Sequence, residues 1–227
     1  MNRVNAEAAI NSVFSAYGIA RSAIPAGASS HVRGKVYELY VLTLVIRYLR
    51  RLGYLVSFSH PRGTVQFKAS AGFLKASDPH FFAAQPGVSP SFDIYVDVEF
   101  QTLGSARLKS GTTSDLSEHH EIDIGVFTYG LNNVRPAHTD VALAVECKAV
   151  VSLPKSVIRG MLGLRRELSL LASRQRPTVI AEAADHSRPT VPADPASEVW
   201  LVTTDASVSS YSNSPSEFGI SCIYKNP

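Results

Sequence analysis

Two neighbouring segments decide the fold: EIDIGVFTY at residues 121–129 and DVALAVECKAV at residues 140–150. Both are rich in valine, isoleucine and other apolar residues, and the intervening GLNNVRPAHT is typical of a turn. The pattern predicts two strands, from about Glu121 to Tyr129 and from about Asp140 to Val150. Because both segments are strongly apolar, we expect both strands near the centre of a sheet.

Segments with helical periodicity precede and follow these strands. GKVYELYVLTLVIRYLRRLG predicts a helix from about Gly34 to Leu52, and a second long helix is expected from Lys155 to about Ser173. A shorter amphipathic helix is expected at about 6–17. Further β-type runs complete the chain: YLVSF, TVQFKA, SFDIYVDVEF, EVWLVTT and GISCIYK. This order predicts an α/β fold, a single domain over residues 1–227 with a mixed central β-sheet flanked by helices.

The composition is typical of a folded protein without disulfides or membrane spans. Of 227 residues, 45% are hydrophobic, which excludes disorder as the main state. Two cysteines are too few for a disulfide scaffold, so we expect a cytoplasmic location. The longest uncharged apolar stretch of the first long helix, residues 39–46, is far shorter than the ~20 residues of a membrane span. We therefore expect neither export nor a membrane partner.

The small net charge of +3 hides an uneven distribution. Residues 31–68 contain seven basic residues and one acid, and residues 151–176 contain six basic residues and one acid. Between them, residues 77–146 contain ten acids and three basic residues. An acidic segment between two basic segments indicates a phosphate-binding surface around a site built from carboxylates.

Glu38 is the one acidic side chain on the apolar side of the first long helix. At about 100° per residue, it shares that side with Leu42, Val45, Leu49 and Leu52. A buried carboxylate requires a cation, a hydrogen-bond network or a metal ion. The alternative is a glutamate near the helix start that binds free backbone N–H groups or turns to solvent.

The two strands add further ionisable side chains. Glu146 and Lys148 share one face of their strand, and Asp123 shares a face with Glu121, opposite Ile122, Ile124 and Val126. The alternatives are a solvent-exposed ion pair for the first two and a loop-capping acid for Asp123. Three carboxylates and one ammonium group would suit Mg²⁺ or Mn²⁺ and metal-assisted hydrolysis of a phosphodiester.

The set Glu38, Asp123 and Glu146-x-Lys148, on a helix and two strands, resembles the PD-(D/E)xK nuclease superfamily with its restriction-endonuclease-like fold. The resemblance implies a four-stranded mixed core sheet within about 31–204 and a strand-rich insertion at about 60–101. It also implies an Mg²⁺-dependent or Mn²⁺-dependent endonuclease that cuts DNA, less often RNA, in a restriction or phage-defence context. Asp123 and Glu146 would bind the metal, Lys148 would position the attacking water, and Glu38 would complete the metal shell.

The chain departs from the family pattern in two places. Ile122 stands where the motif has proline, and 84 residues separate Glu38 from Asp123. Two other hypotheses stay open: a non-catalytic nucleic-acid-binding module of the same fold, and a metal-dependent phosphohydrolase for nucleotides. A homodimer would suit two cuts across a duplex.

Basic residues on the helix after Pro154 predict nucleic-acid binding. Lys155, Arg159 and Arg166 lie on one side of that helix, and Gly160 and Gly163 would permit close approach of a phosphate. With Arg33, Lys35 and the Arg47–Arg51 segment they are expected to form one track for phosphates. The alternative is a solvated basic helix face.

Several other residues are interpreted without a functional role. Asp93, Asp97 and Glu99 alternate with apolar residues and are expected to be solvated. Cys147 is expected to be a small buried hydrophobe, and His119 and His120 lack a second pair of ligands for zinc.

Overall fold

The structure is a computed structural model that describes residues 1–19, 26–27, 29–60, 72–108 and 115–227. Its α-helices are α1 (Arg3–Phe14), α2 (Ser30–Arg51), α3 (Leu103–Arg107), α4 (Lys155–Leu168), α5 (Val179–Ala183) and α6 (Asn213–Glu217). Its strands are β1 (Leu55–Phe58), β2 (Phe81–Ala84), β3 (Pro90–Gln101), β4 (His119–Thr128), β5 (Val141–Lys148), β6 (Leu170–Pro177), β7 (Thr190–Asp194), β8 (Glu198–Thr203) and β9 (Ile220–Tyr224).

Seven of these strands form one mixed sheet in the order β1-β2-β3-β4-β5-β8-β9. Strands β1 to β5 pair antiparallel with their sequence neighbours, whereas β8 pairs parallel with both β5 and β9. The α/β class, the mixed sheet and the central positions of β4 and β5 are therefore confirmed. The sheet is larger than the four-stranded core that the family resemblance implies, because β2 and β3, in the expected insertion, belong to it. TVQFKA lies outside the described residues.

Helices cover both faces of this sheet. Trp200 and Val202 of β8 pack in the cluster that contains α1 and α2, which we call the α2 face. Val199 and Leu201 pack in the cluster that contains α4, which we call the α4 face. The alternation along β8 thus places α2 and α4 on opposite sides of the sheet. No helix among the described residues is long and apolar enough to cross a membrane.

The β3–β4 ribbon changes face at Asp97. Val96 packs on the α2 face and Val98 on the α4 face, although strict alternation would place both on the same side. The same change separates Ile124 from Ile122, so the expectation that these two side chains share a face is wrong. Asp97 has a φ of 53°, a left-handed conformation that aspartate adopts more readily than most residues.

This change of face buries an acid that the sequence pattern predicts to be solvated. The pairing runs from Val96 with Ile124 to Val98 with Ile122, and Asp97 and Asp123 are the residues between these two pairs. Asp97 is only 1% exposed. Asp93 is also buried, with Oδ2 accepting a hydrogen bond from the Gly130 N–H at 2.9 Å. The expectation of solvent-facing side chains is therefore wrong for both residues.

Helix α4 ends at Leu168, five residues earlier than its periodicity predicts. Ser169 is extended, with a φ of −154°, and its hydroxyl donates to the Pro195 carbonyl oxygen at 2.8 Å. The next residues form β6, which pairs with β7 as a separate two-stranded sheet. The predicted helix boundary fails because this tertiary pairing competes with local helix propensity.

Arg165 joins the end of α4 to the main sheet. It is 5% exposed, and its Nη2 donates to the carbonyl oxygens of Ser197 at 2.9 Å and Gly219 at 3.1 Å. Its Nη1 donates to the Ser169 and Ser197 hydroxyls at 3.2 Å each. We therefore expect Arg165 to stabilise the packing of α4 against β8 and β9.

Replacing Arg165 with alanine should lower the free energy of unfolding by about 3 kcal/mol, because the buried Ser197 and part-buried Gly219 carbonyl groups lose their donor and a cavity opens. The neighbouring Arg166 is exposed, so Arg166→Ala should change it by less than about 0.5 kcal/mol. Urea denaturation of both variants and the wild type measures the difference. Equal losses in the two variants would contradict this role for Arg165.

Candidate functional site

Lys35 ties helix α2 to the point where β3 changes face. Its Nζ lies 2.8 Å from Glu38 Oε2 and 2.7 Å from Asp97 Oδ1. Glu38 is 8% exposed, as its position on the apolar side of the helix predicts. The sequence predicts Lys35 on the phosphate track. The structure instead places it among carboxylates, with its side chain only 15% exposed.

Asp123 connects the two central strands at the same position. Its Oδ2 accepts a hydrogen bond from the Cys147 backbone N–H at 2.7 Å, which holds Asp123 beside the end of β5. Cys147 is buried, as predicted. Its neighbours Glu146 and Lys148 form an ion pair with each other. We call five acids and two lysines in this region the carboxylate cluster: Glu38, Asp97, Glu121, Asp123, Glu146, Lys35 and Lys148.

The electrostatics show that the acids of this cluster lie close enough to influence one another. Burial and the Asp123 charge raise the pKa of Glu38 to about 8, although Lys35 opposes the shift. Burial and the Glu146 charge raise the pKa of Asp123. The Asp123 charge thus acts on Glu38, and the Glu146 charge acts on Asp123. That these residues and Lys148 form one metal site stays a prediction.

The two lysines remain protonated at neutral pH. Burial by itself would lower the pKa of Lys148, but the adjacent Glu146 carboxylate raises it overall. Burial acts on Lys35 in the same direction, and Asp97 and Glu38 likewise raise its pKa overall. Five carboxyl groups face two ammonium groups, which leaves three excess negative charges when every group is ionised. Further protons or a cation would balance this excess.

The oxygen donors of the cluster suit a hard divalent cation. In this structure, however, Glu38 and Asp97 form ion pairs with Lys35, and Glu146 forms one with Lys148. In the described part of the chain, no group of three or more His, Cys, Asp or Glu side chains has an arrangement that could hold a metal ion. Carboxylate oxygens are, however, the ligands that Mg²⁺ and Mn²⁺ prefer. Asp97 Oδ2 is buried and has no hydrogen-bond partner among the described residues, so it remains free to accept one.

A cleft of about 670 Å³ lies between this cluster and helix α4, and we call it the α4 cleft. Glu121, Glu146 and Lys148 line its sheet side, and Gly160 and Gly163 line its helix side. Apart from each glycine's chain neighbours and the helix's own backbone, no described heavy atom lies within 4 Å of the position that a Cβ would occupy at either glycine. His119 and His120 also line the cleft.

The basic residues do not form the single track that the sequence predicts. Lys155, Arg159 and Arg166 are exposed on α4, whereas the Arg47–Arg51 segment belongs to α2 on the opposite side of the sheet. Arg33 lies near the amino group of Met1, whose pKa it lowers together with burial. Of the basic residues predicted to bind phosphate, only those of α4 lie on the same side of the sheet as the α4 cleft.

Asp97 is the site residue that the sequence interpretation missed. Its alternation with Val96 and Val98 is that of a half-exposed strand, and nothing in this local pattern reports the left-handed backbone that buries it. The position of Lys35, three residues before Glu38, is a recognisable helical ion-pair spacing and could have drawn Lys35 into the site.

No family model matches the chain, and no curated protein or solved structure matches it either. Membership of the PD-(D/E)xK superfamily therefore stays a prediction from the motif.

Replacing Glu38 with glutamine should weaken the pH dependence of stability. The pKa of Glu38 is about 8 in the folded chain and 4.5 as a reference, so its stabilising contribution is complete below the lower value and disappears as the pH rises through the higher one. Between about pH 5 and pH 8.5, the wild type should lose about 2 kcal/mol more unfolding free energy than Glu38→Gln.

Urea denaturation in a chelating buffer at both pH values measures this difference. Glu217→Gln, which removes an exposed carboxylate, is the matched control and should follow the wild type. A Glu38→Gln variant with the same pH dependence as the wild type would contradict the raised pKa.

Proposed function

We propose that the protein is a metal-dependent nuclease that hydrolyses phosphodiester bonds of DNA. The observation that carries this proposal is the position of Asp123, which the Cys147 N–H holds at 2.7 Å beside the Glu146–Lys148 ion pair. The Asp123 charge also acts on Glu38. These residues come from a helix and two strands that are far apart in sequence. A buried group of like charges is unfavourable by itself, which makes it a candidate for a functional site.

Each residue of the cluster has a chemical task in this proposal. Asp123 and Glu146 would hold Mg²⁺ or Mn²⁺, with Glu38 completing the set of ligands. The Cys147 N–H holds Asp123 in one orientation, which leaves its other oxygen available. When bound, the cation would supply Lewis-acid stabilisation of the charge that develops on the phosphate.

Lys148 would act as a hydrogen-bond donor and not as a base. Its pKa is raised, so the ammonium group keeps its proton at neutral pH and donates to a water or a phosphate oxygen in the α4 cleft. Lys148 thereby orients the water for attack in line with the leaving oxygen. Lys35 holds Glu38 and Asp97 in place from the other side of the cluster.

The α4 cleft is the proposed path of the nucleic acid. Its two glycines leave room for a phosphate or sugar to approach the helix backbone, and the exposed Lys155, Arg159 and Arg166 would neutralise neighbouring phosphates. The choice of DNA over RNA rests on the family resemblance. The electrostatic support applies to either polymer.

A non-catalytic nucleic-acid-binding module is a second candidate, and one contact favours it. Lys35 already neutralises Glu38 and Asp97 through two short hydrogen bonds, so part of the cluster is satisfied as an internal ion-pair network. Such a module would bind nucleic acid at the same helix face without turnover.

Cleavage of supercoiled plasmid in the presence of Mg²⁺ or Mn²⁺ tests the first candidate. We expect nicking that a chelator abolishes, and a loss of at least about 100-fold in rate for Asp123→Asn and for Lys148→Met, since each removes a group that acts at the reacting phosphate. Asp185→Asn and Lys75→Met, exposed positions outside the cluster, are matched controls.

The outcomes separate the candidates. Undiminished cleavage by both cluster variants would contradict the site. Salt-sensitive DNA binding without turnover in either metal would favour the non-catalytic module, and turnover confined to mononucleotides would favour the phosphohydrolase reading.

Alanine replacement of Lys155, Arg159 and Arg166 together should weaken DNA binding and reduce its salt dependence. Each lost phosphate contact lowers the slope of log K against log salt concentration by about 0.9, so a decrease of about 2 to 3 is expected. Fluorescence anisotropy at several salt concentrations measures the slope. Arg107→Ala, an exposed arginine on α3, is the control, and an unchanged slope in the triple variant would remove α4 from the interface.

A further inference from the structure

A second cavity lies on the α2 face, on the other side of the sheet from the α4 cleft. It has a volume of about 760 Å³ and is bounded by the C-terminal half of α2 and by strands β8 and β9. We call it the α2 pocket. Among the described residues, none of the carboxylate cluster lines it. Its volume is that of a site for a small organic ligand.

Four cations line this pocket: Arg47, Arg50, Arg51 and Lys225. All four are exposed, and within the described ranges none lies within salt-bridge distance of a carboxylate. Several arginines without carboxylate partners around one concave surface produce a positive potential, and the guanidinium group matches the geometry of phosphate oxygens. The charge of the pocket therefore favours a phosphorylated ligand.

The floor of the pocket is aromatic and held in place. The rings of Tyr48 and Trp200 meet edge to face, with centroids 4.8 Å apart. Both polar groups of these rings are turned inward: Tyr48 Oη donates to Glu198 Oε1 at 2.6 Å, and Trp200 Nε1 donates to Glu198 Oε2 at 3.1 Å. Thr178 Oγ1 adds a third donor to the same carboxylate at 2.9 Å.

Glu198, whose carboxylate accepts three hydrogen bonds, therefore holds the floor of the pocket in place. It is 4% exposed and has three donors, so it orients the two rings. At the rim Arg50 forms a hydrogen bond with Tyr17, which leaves Arg47, Arg51 and Lys225 to meet a ligand. Leu44, Val202 and Ile223 complete an apolar wall beside the rings. An aromatic and apolar floor under a cationic rim matches a ligand that joins a flat ring to a phosphate group.

We propose that the α2 pocket binds a nucleoside phosphate, with the base against Trp200 and Tyr48 and the phosphate among the arginines of α2. The ligand has two sources with the same chemistry: a free nucleotide, or the phosphorylated end of a nucleic-acid strand. The pocket shares no described lining residue with the α4 cleft, so this binding does not depend on the nuclease proposal.

The single tryptophan of the chain makes the test direct. Trp200 is that residue, so intrinsic fluorescence reports occupancy of the pocket without a label. The probes are the four common nucleoside monophosphates, the matching nucleosides, inorganic phosphate, and short single-stranded oligonucleotides with and without a 5′-phosphate. We expect saturable changes in fluorescence with the nucleoside monophosphates, and at least tenfold weaker binding of nucleosides and of inorganic phosphate.

Two variants test the arginines. Arg47→Ala and Arg51→Ala should each weaken binding at least tenfold, because they remove phosphate donors while leaving Trp200 in place. Arg107→Ala, on the α4 side of the molecule, should bind as the wild type does. Isothermal titration calorimetry on the same proteins provides a second readout that is independent of light absorption by the base.

The remaining outcomes are decisive. Binding only of 5′-phosphorylated oligonucleotides, with the same loss in the arginine variants, would support the pocket and assign the strand end as its source. No binding of any probe, equal binding by inorganic phosphate, or full affinity in both arginine variants would overturn the proposal. Lys148→Met should bind nucleoside monophosphates as the wild type does, because Lys148 does not line the α2 pocket. The two proposals can therefore fail separately.

Discussion

The change of face in the β3–β4 ribbon is the constraint on which the rest of the molecule depends. At this point the left-handed Asp97 and Asp123 lie between the same two residue pairs of β3 and β4, so two acids occupy a central part of the sheet. Burial of like charges there is tolerable only because Lys35 reaches across from α2, and because protons are held more tightly than in water. The same side chains therefore hold α2 against the sheet and form the candidate site.

The two faces of the sheet divide the charged residues into separate regions. On the α4 face, acids at the strand ends meet a helix with two glycines and exposed cations, which suits a polymer of phosphates. On the α2 face, arginines surround a floor of aromatic rings, which suits a single base with its phosphate. The near-zero total charge conceals this division, because the acidic and basic segments cancel when they are summed.

Sequence periodicity predicts burial correctly where it is local and uninterrupted. The burial of Glu38 follows from the helical wheel, because α2 is regular over 22 residues. The burial of Cys147 follows in the same way from alternation along β5. Alternation fails for Asp97 and Ile122, because the paired strands β3 and β4 both change face next to the left-handed Asp97. The helical pattern predicts an end of α4 near Ser173, whereas the helix ends at Leu168, because the pairing of β6 with β7 outweighs local helix propensity.

The sequence by itself determined the fold class, the two central strands, the apolar side of α2 and the residue types available for chemistry, because these depend on spacing within single elements. Only the tertiary structure decided which charges meet. In the tertiary structure Lys35 lies in the carboxylate cluster and not on the expected phosphate track, and Asp97 belongs to the same cluster. The arginines of α2 and those of α4 lie on opposite sides of the sheet. Such encounters depend on strand order and on one backbone conformation, neither of which is encoded in the periodicity of any one segment.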